Sequence, residues 1–177
     1  MENLVESTLL QYVLLVLLGM AALTDFRTYK IPNWLTGPAM IIGLGLHTLL
    51  AQLSGLIFSL EGAAVGFGLF IIIYAFGWMG AGDVKLFAAV GSFLGPAQTI
   101  SAALFVALVG GLLSFLILGF YLGWRRMGLW LWSHLQTLVL TRSLQVSTPV
   151  EGATPKVPYA LAIGLGTIGS YWWYPLG

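Results

Sequence analysis

Long apolar runs separated by short polar turns make up nearly all of this 177-residue chain. Hydrophobic residues account for 59% of it and charged residues for only 7%, whereas a soluble domain carries about 25% charged residues. We therefore predict an all-α polytopic membrane protein. No basic patch of the kind that binds nucleic acid is present. The absence of cysteine excludes disulfides and thiolate metal sites.

Six of the apolar runs are candidate membrane-spanning helices. They cover residues 9–23, 37–53, 56–78, 83–94, 97–124 and 157–173. The predicted turns between them include Ser54-Gly55 and Gly95-Pro96. The fourth run is the shortest, because about twelve residues give roughly 18 Å against ~30 Å of hydrocarbon. It therefore places Asp83 at or just below the membrane surface.

The basic residues are distributed on one side of this predicted topology. Six spans place both chain ends on the same side, and every basic residue then falls on the opposite side: Arg27, Lys30, Lys85, Arg125, Arg126, Arg142 and Lys156. The positive-inside rule makes that side cytoplasmic and puts the N- and C-termini on the non-cytoplasmic side. We expect one transmembrane domain over residues 1–177. Within it, residues 125–156 form a cytoplasmic connection in which 129–139 are compatible with an interfacial helix.

The two aspartates, Asp25 and Asp83, are the strongest candidates for chemistry, because ionisable residues near membrane depth are expensive. Two carboxylates that share one proton can activate water and hydrogen-bond a carbonyl oxygen, as in aspartic proteases. The competing interpretation is that both are helix-end residues, with Asp83 as an N-cap. Asp25 lies at a helix C-terminus and Asp83 at a helix N-terminus, so helix dipoles favour charge on Asp83 and a proton on Asp25.

Three short motifs surround these aspartates. Residues 80–86 read Gly-Ala-Gly-Asp-Val-Lys-Leu, which contains a G-x-G-D sequence. Ile-Pro-Asn at 31–33 follows Asp25, and Pro-Tyr at 158–159 begins the last run. In this order the motifs resemble those of the type IV prepilin peptidases, which are G-x-G-D membrane aspartic proteases. The resemblance covers nearly the whole chain and implies that Asp25 and Asp83 are the catalytic residues.

The residues expected to support this pair lie within the same motifs. They are Gly80, Gly82, Lys85, Arg27, Lys30, Pro32, Asn33, Pro158 and Tyr159. We expect the two glycines to adopt backbone angles that other residues resist and to let a substrate approach Asp83. The cations serve as membrane anchors or attract lipid phosphate and acidic substrate residues. No metal or organic cofactor is expected, because neither His47 nor His134 has a second ligand at helical spacing.

The resemblance also implies a substrate and a location. Prepilin peptidases cleave the basic leader from membrane-inserted prepilins, after a glycine, at the cytoplasmic face of the bacterial cytoplasmic membrane. Full-length members add an N-terminal cytoplasmic segment, often with Cys-x-x-Cys pairs, that is linked to N-methylation. This chain has no cysteine and no room for that segment. It is similar to the short, peptidase-only form of Tad/Flp pilus systems, so we expect no N-methyltransferase activity.

Three other interpretations remain open on the sequence. The chain resembles, less closely, other G-x-G-D proteases of the preflagellin, presenilin and signal-peptide-peptidase types. A small transporter can use two carboxylates as a proton or cation site, although no inverted repeat typical of such proteins is visible. A pilus-assembly scaffold without activity would tolerate isosteric changes at both aspartates. The sequence does not indicate the oligomeric state.

Overall fold

The computed structural model describes residues 2–141 and 158–173, and this part of the chain is helical and contains no strand. The helices are α1 (Glu2–Thr28), α2 (Asn33–Ala75), α3 (Ala81–Leu122), α4 (Trp124–Thr141) and α5 (Tyr159–Trp173). Three described segments are long and apolar enough to cross a membrane: Thr8–Thr28, Asn33–Ala75 and Ala81–Leu122. The prediction of an all-α fold is confirmed. The number of spans and the orientation of the termini stay predictions.

Helix α2 is interrupted near its middle, where Ala51 and Gln52 leave the helical region and Gln52 has a φ of 53°. The rings of His47 and Phe58, on either side of this break, have centroids 5.3 Å apart. In a continuous helix, residues eleven positions apart are separated by roughly 16 Å along the axis. The chain therefore folds back on itself here. The turn was predicted at Ser54-Gly55, and the break lies a few residues earlier.

Helix α3 is interrupted at Gly95, which has a φ of 72°. This left-handed conformation suits a residue without a side chain, and Pro96 follows it with no N–H to donate to the helix. The break coincides with the turn predicted at Gly95-Pro96. The predicted runs 83–94 and 97–124 are thus the two parts of α3.

Glycines allow α2 and α3 to pack closely. A Cβ placed at Gly62 would overlap the carbonyl oxygen of Gly91, and one at Gly66 would lie 2.7 Å from the carbonyl oxygen of Phe87. Ser59, in the same helix, donates to the carbonyl of Ser92 at 2.6 Å. Small residues therefore bring two backbones together, as they do between membrane helices.

The described residues divide into two compact units, one of residues 2–110 and 158–173 and the other of residues 111–141. The core of the first includes Leu86, Phe87 and Ile163, whose side chains are fully buried. The second contains α4, which covers the predicted interfacial segment; Leu129 and Trp132 are exposed on it. Its position at a leaflet stays a prediction. Arg142, Lys156 and the rest of the predicted connection after residue 141 lie outside the described residues.

Candidate active site

Asp25 lies one turn before the end of α1 and is only 5% exposed. The helix ends because Tyr29 adopts a left-handed φ of 51° and its N–H donates to the main-chain oxygen of Asp25 at 2.7 Å. This is the usual backbone arrangement of an αL helix terminus, although glycine is the more common residue there. The turn directs the chain away from α1 immediately beyond the carboxylate.

The side chain of Asp25 is held by the last helix of the chain. Ala160, the second residue of α5, donates its backbone N–H to Oδ2 of Asp25 at 2.9 Å. The first N–H groups of a helix have no partner within the helix, so this carboxylate satisfies one of them. Pro158 directly precedes this helix. Ala160 was not among the predicted site residues, and its contact explains why the Pro-Tyr motif lies next to the site.

Asp83 lies in the first turn of α3, three residues after Gly80. Its Oδ2 atom accepts the backbone N–H of Gly80 at 3.0 Å, and its own N–H donates to the Gly80 carbonyl at 3.1 Å. A side chain at the third helical position that reaches back to the cap residue is half of a capping box. The interpretation of Asp83 as the N-cap itself is therefore wrong, since Gly80 occupies the cap position. The capping contact also orients the carboxylate.

Both carboxylates line one cavity of about 250 Å³. The residues around it are Asp25, Tyr29, Lys30, Ile31, Gly80, Ala81, Gly82 and Asp83. The fold thus brings together the ends of two apolar runs that are far apart in sequence, which is the arrangement that the two-carboxylate hypothesis requires.

Glycine is required at positions 80 and 82 because neighbouring groups leave little space for a side chain, and not because of unusual backbone angles. Gly80 and Gly82 are not among the described residues with a positive φ, so the expectation about their backbone angles is wrong. A Cβ at Gly82 would lie 3.1 Å from both Cβ and the carbonyl oxygen of Ile31, and one at Gly80 would lie 3.1 Å from Oδ2 of Asp83. The missing side chains let the 29–32 turn and the Asp83 carboxylate approach this backbone closely.

The other predicted supporting residues lie outside the cavity lining, with the exception of Lys30. Lys85 donates from Nζ to Oδ1 of Asn33 at 2.9 Å, which links the start of α2 to the beginning of α3. Pro32 directly precedes α2. The ring of Tyr159 faces α3, where a Cβ at Gly110 would lie 3.2 Å from it. Arg27 is exposed.

Helix α5 adds a second helix end beside Asp25. The sequence places Asp25 at a helix C-terminus, but the Oδ2 atom of this residue also faces the N-terminus of α5. Asp83 faces the N-terminus of its own helix. Both carboxylates therefore receive stabilisation from a helix N-terminus. Helix polarity no longer assigns the proton to one of them.

No group of His, Cys, Asp and Glu side chains suited to a metal ion occurs among the described residues. His47 has a structural contact instead, since Nε2 lies 3.0 Å from the carbonyl oxygen of Phe93. The side chain of His134 lies outside the described set. The cavity lining carries the carboxylates of Asp25 and Asp83 together with the side chains of Tyr29 and Lys30.

Comparison with known families gives one match. The family model described as the type IV leader peptidase family matches residues 12–115. This region contains Asp25, Asp83 and the residues between them, and it ends before Pro158-Tyr159. Searches of curated proteins and of solved structures found no match. Because the match covers more than half of the chain, the chain belongs to the type IV leader peptidase family.

Proposed function

We propose that the protein is a membrane aspartic endopeptidase in which Asp25 and Asp83 together cleave the leader peptide from prepilins. The observation that carries the proposal is that both carboxylates line the same cavity of about 250 Å³. Each has one oxygen held by a backbone N–H, from Ala160 and from Gly80. Membership in a leader peptidase family supports the peptidase chemistry.

This geometry suits hydrolysis by a carboxylate pair that shares one proton. The ionised carboxylate removes a proton from a water molecule, whose oxygen attacks the scissile carbonyl carbon. The protonated carboxyl donates its hydrogen to the carbonyl oxygen, which stabilises the tetrahedral intermediate. When the C–N bond breaks, a proton passes to the leaving nitrogen. The backbone donors at Oδ2 keep both carboxylates oriented while the proton moves between them.

The substrates we propose are Flp-type or related prepilins, with a basic leader followed by an apolar helix. The substrate helix lies in the bilayer and carries its scissile bond to the cytoplasmic membrane face, where we place the active site of this inner-membrane protein. Anchoring in a shared membrane removes most of the entropy of positioning the bond. We propose no N-methyltransferase activity, because the chain lacks the cysteine motifs associated with it.

Co-expression with a prepilin in a host that lacks its own prepilin peptidase tests this function. We expect a shortened pilin whose mass corresponds to cleavage after the leader glycine, with an unmethylated N-terminus. A prepilin in which valine replaces that glycine serves as the control and should stay intact. An uncleaved wild-type prepilin, with both proteins inserted at normal levels, would contradict the proposal.

Substitution of Gly82 by alanine tests the spacing of the site. The new Cβ would lie 3.1 Å from the Ile31 backbone and side chain, so the 29–32 turn must shift by a few tenths of an ångström. A misplacement of ~1 Å in an active site lowers the rate about 100-fold, so we expect a decrease of roughly tenfold. Gly68→Ala is the control, because a Cβ there meets nothing within 4 Å. Equal cleavage by both variants would contradict this account of Gly82.

A further inference from the structure

An open apolar groove runs along the seam between α1 and α5. It has a volume of about 170 Å³, and its lining includes Leu15, Gly19 and Ala22 from α1 with Leu161, Gly164 and Leu165 from α5. None of the described residues that line it has a polar or charged side chain. The leucines at 15 and 165 are 37% and 49% exposed, so the groove faces outward from the helix pair.

One end of the groove lies close to Asp25 on both of its walls. Ala22 precedes Asp25 by three residues, which is about 5 Å along the helix axis. On the opposite wall, Leu161 directly follows Ala160, whose N–H binds the Asp25 carboxylate. A polypeptide lying in the groove would therefore have one end within about a turn of the Asp25 carboxylate.

The shape of the groove fits a helix. A Cβ added at Gly19 would meet nothing within 4 Å. A Cβ added at Gly164 would have Cβ of Leu18 as its nearest contact, at 3.9 Å. Gly19, Gly164 and Ala22 are small, so they make the groove deeper. Small residues of this kind allow a second helix backbone to approach closely within a bilayer. Leucines on both walls supply apolar side chains for packing. A lipid acyl chain can also enter the groove, but it gains less contact from the added depth than a helix does.

We infer that this groove holds the apolar helix of the substrate that follows the scissile bond. The inference rests on the proposed function. A prepilin has its apolar segment directly after the cleavage site, so that segment must begin within a turn or two of the carboxylates. Its N-terminus lies at the Asp25 end of the groove, where α5 begins and α1 ends. The substrate helix therefore runs parallel to α5 and antiparallel to α1.

Filling the groove tests the inference with two substrates, a full-length prepilin and a short peptide that contains the cleavage site without the apolar helix. Gly19→Leu has room for its side chain and occupies the groove. Gly45→Leu is the matched control, because Gly45 is also exposed and a Cβ added there would meet nothing within 4 Å. We expect Gly19→Leu to lower the ratio of prepilin to peptide cleavage about tenfold or more, since apolar pocket contacts discriminate by such factors. In Gly45→Leu the ratio should equal that of wild type.

A cross-link provides the second measurement. The chain has no cysteine, so Gly164→Cys can be paired with single cysteines placed along the prepilin helix. We expect cross-links to position 164 only from cysteines in the N-terminal turns of the prepilin helix. An unchanged ratio in Gly19→Leu, or links restricted to the distal end of the helix, would overturn the groove assignment while leaving the peptidase function intact. A wild-type protein that cleaves neither substrate would overturn both.

Discussion

Replacement of either aspartate by asparagine should abolish prepilin cleavage, with a loss of at least about 100-fold for Asp25→Asn and for Asp83→Asn. Asparagine keeps a side-chain oxygen that can accept the N–H of Ala160 or Gly80, so the contacts at 2.9 Å and 3.0 Å can persist. What is lost is the ability to accept or release a proton. Because the two groups share one proton, neither alone can complete the reaction.

The control for these variants is Glu61→Gln, the same loss of a carboxylate at an exposed position of α2 outside the cavity lining. It should cleave at the wild-type rate. Cleavage is measured on membranes that contain matched amounts of each variant. Activity retained by either aspartate variant would contradict the paired mechanism.

The second large effect concerns folding. Gly62→Ala should lower the free energy of unfolding by about 1–3 kcal/mol, the usual range for overpacking. Its Cβ would overlap the carbonyl oxygen of Gly91, and a backbone atom in a packed helix cannot rotate away as a side chain can. The two helices must separate, so contacts along the whole seam weaken.

Gly68→Ala in the same helix is the matched control for this prediction. A Cβ there meets nothing within 4 Å, and alanine favours a helix over glycine by ~1 kcal/mol. It should be as stable as wild type or slightly more stable. Thermal unfolding in one detergent compares the two variants directly. Equal midpoints would mean that the close contact between Gly62 and Gly91 does not exist in the protein.

Local signals in the sequence account for several features of this fold. The Gly95-Pro96 pair has a strong intrinsic tendency to interrupt a helix, and α3 is interrupted there. The break in α2 is different, because Ala51 and Gln52 have no such tendency. The two parts of the helix contact each other through the rings of His47 and Phe58, and the local sequence carries no signal for a contact of this kind. The turn was therefore predicted a few residues too late.

Some features of the site also follow from the neighbouring sequence, whereas others depend on residues far away in the chain. That Asp25 and Asp83 lie near helix ends follows from their positions beside apolar runs. The donor for Asp25 could not be predicted, because Ala160 is 135 residues away and contributes only its backbone N–H. Tyr29, which lines the cavity, was also missed. A tyrosine carries no sequence signal for the left-handed conformation that places it there.

The central claim is that Asp25 and Asp83 belong to one site, and thiol cross-linking measures this directly. The chain has no cysteine, so Asp25→Cys with Asp83→Cys introduces a single pair, which is treated with a short bifunctional thiol reagent in native membranes. The positive control is Asn33→Cys with Lys85→Cys, because these side chains meet at 2.9 Å.

The negative control is Glu61→Cys with Asp83→Cys. The neighbour of Glu61, Gly62, packs against Gly91, which is about 12 Å along α3 from Asp83. Mass spectrometry of the digested protein identifies the linked peptides. A link between positions 25 and 83 with a yield near that of the positive control is the predicted result. No link at 25 and 83, under conditions in which 33 and 85 are linked, would contradict the account.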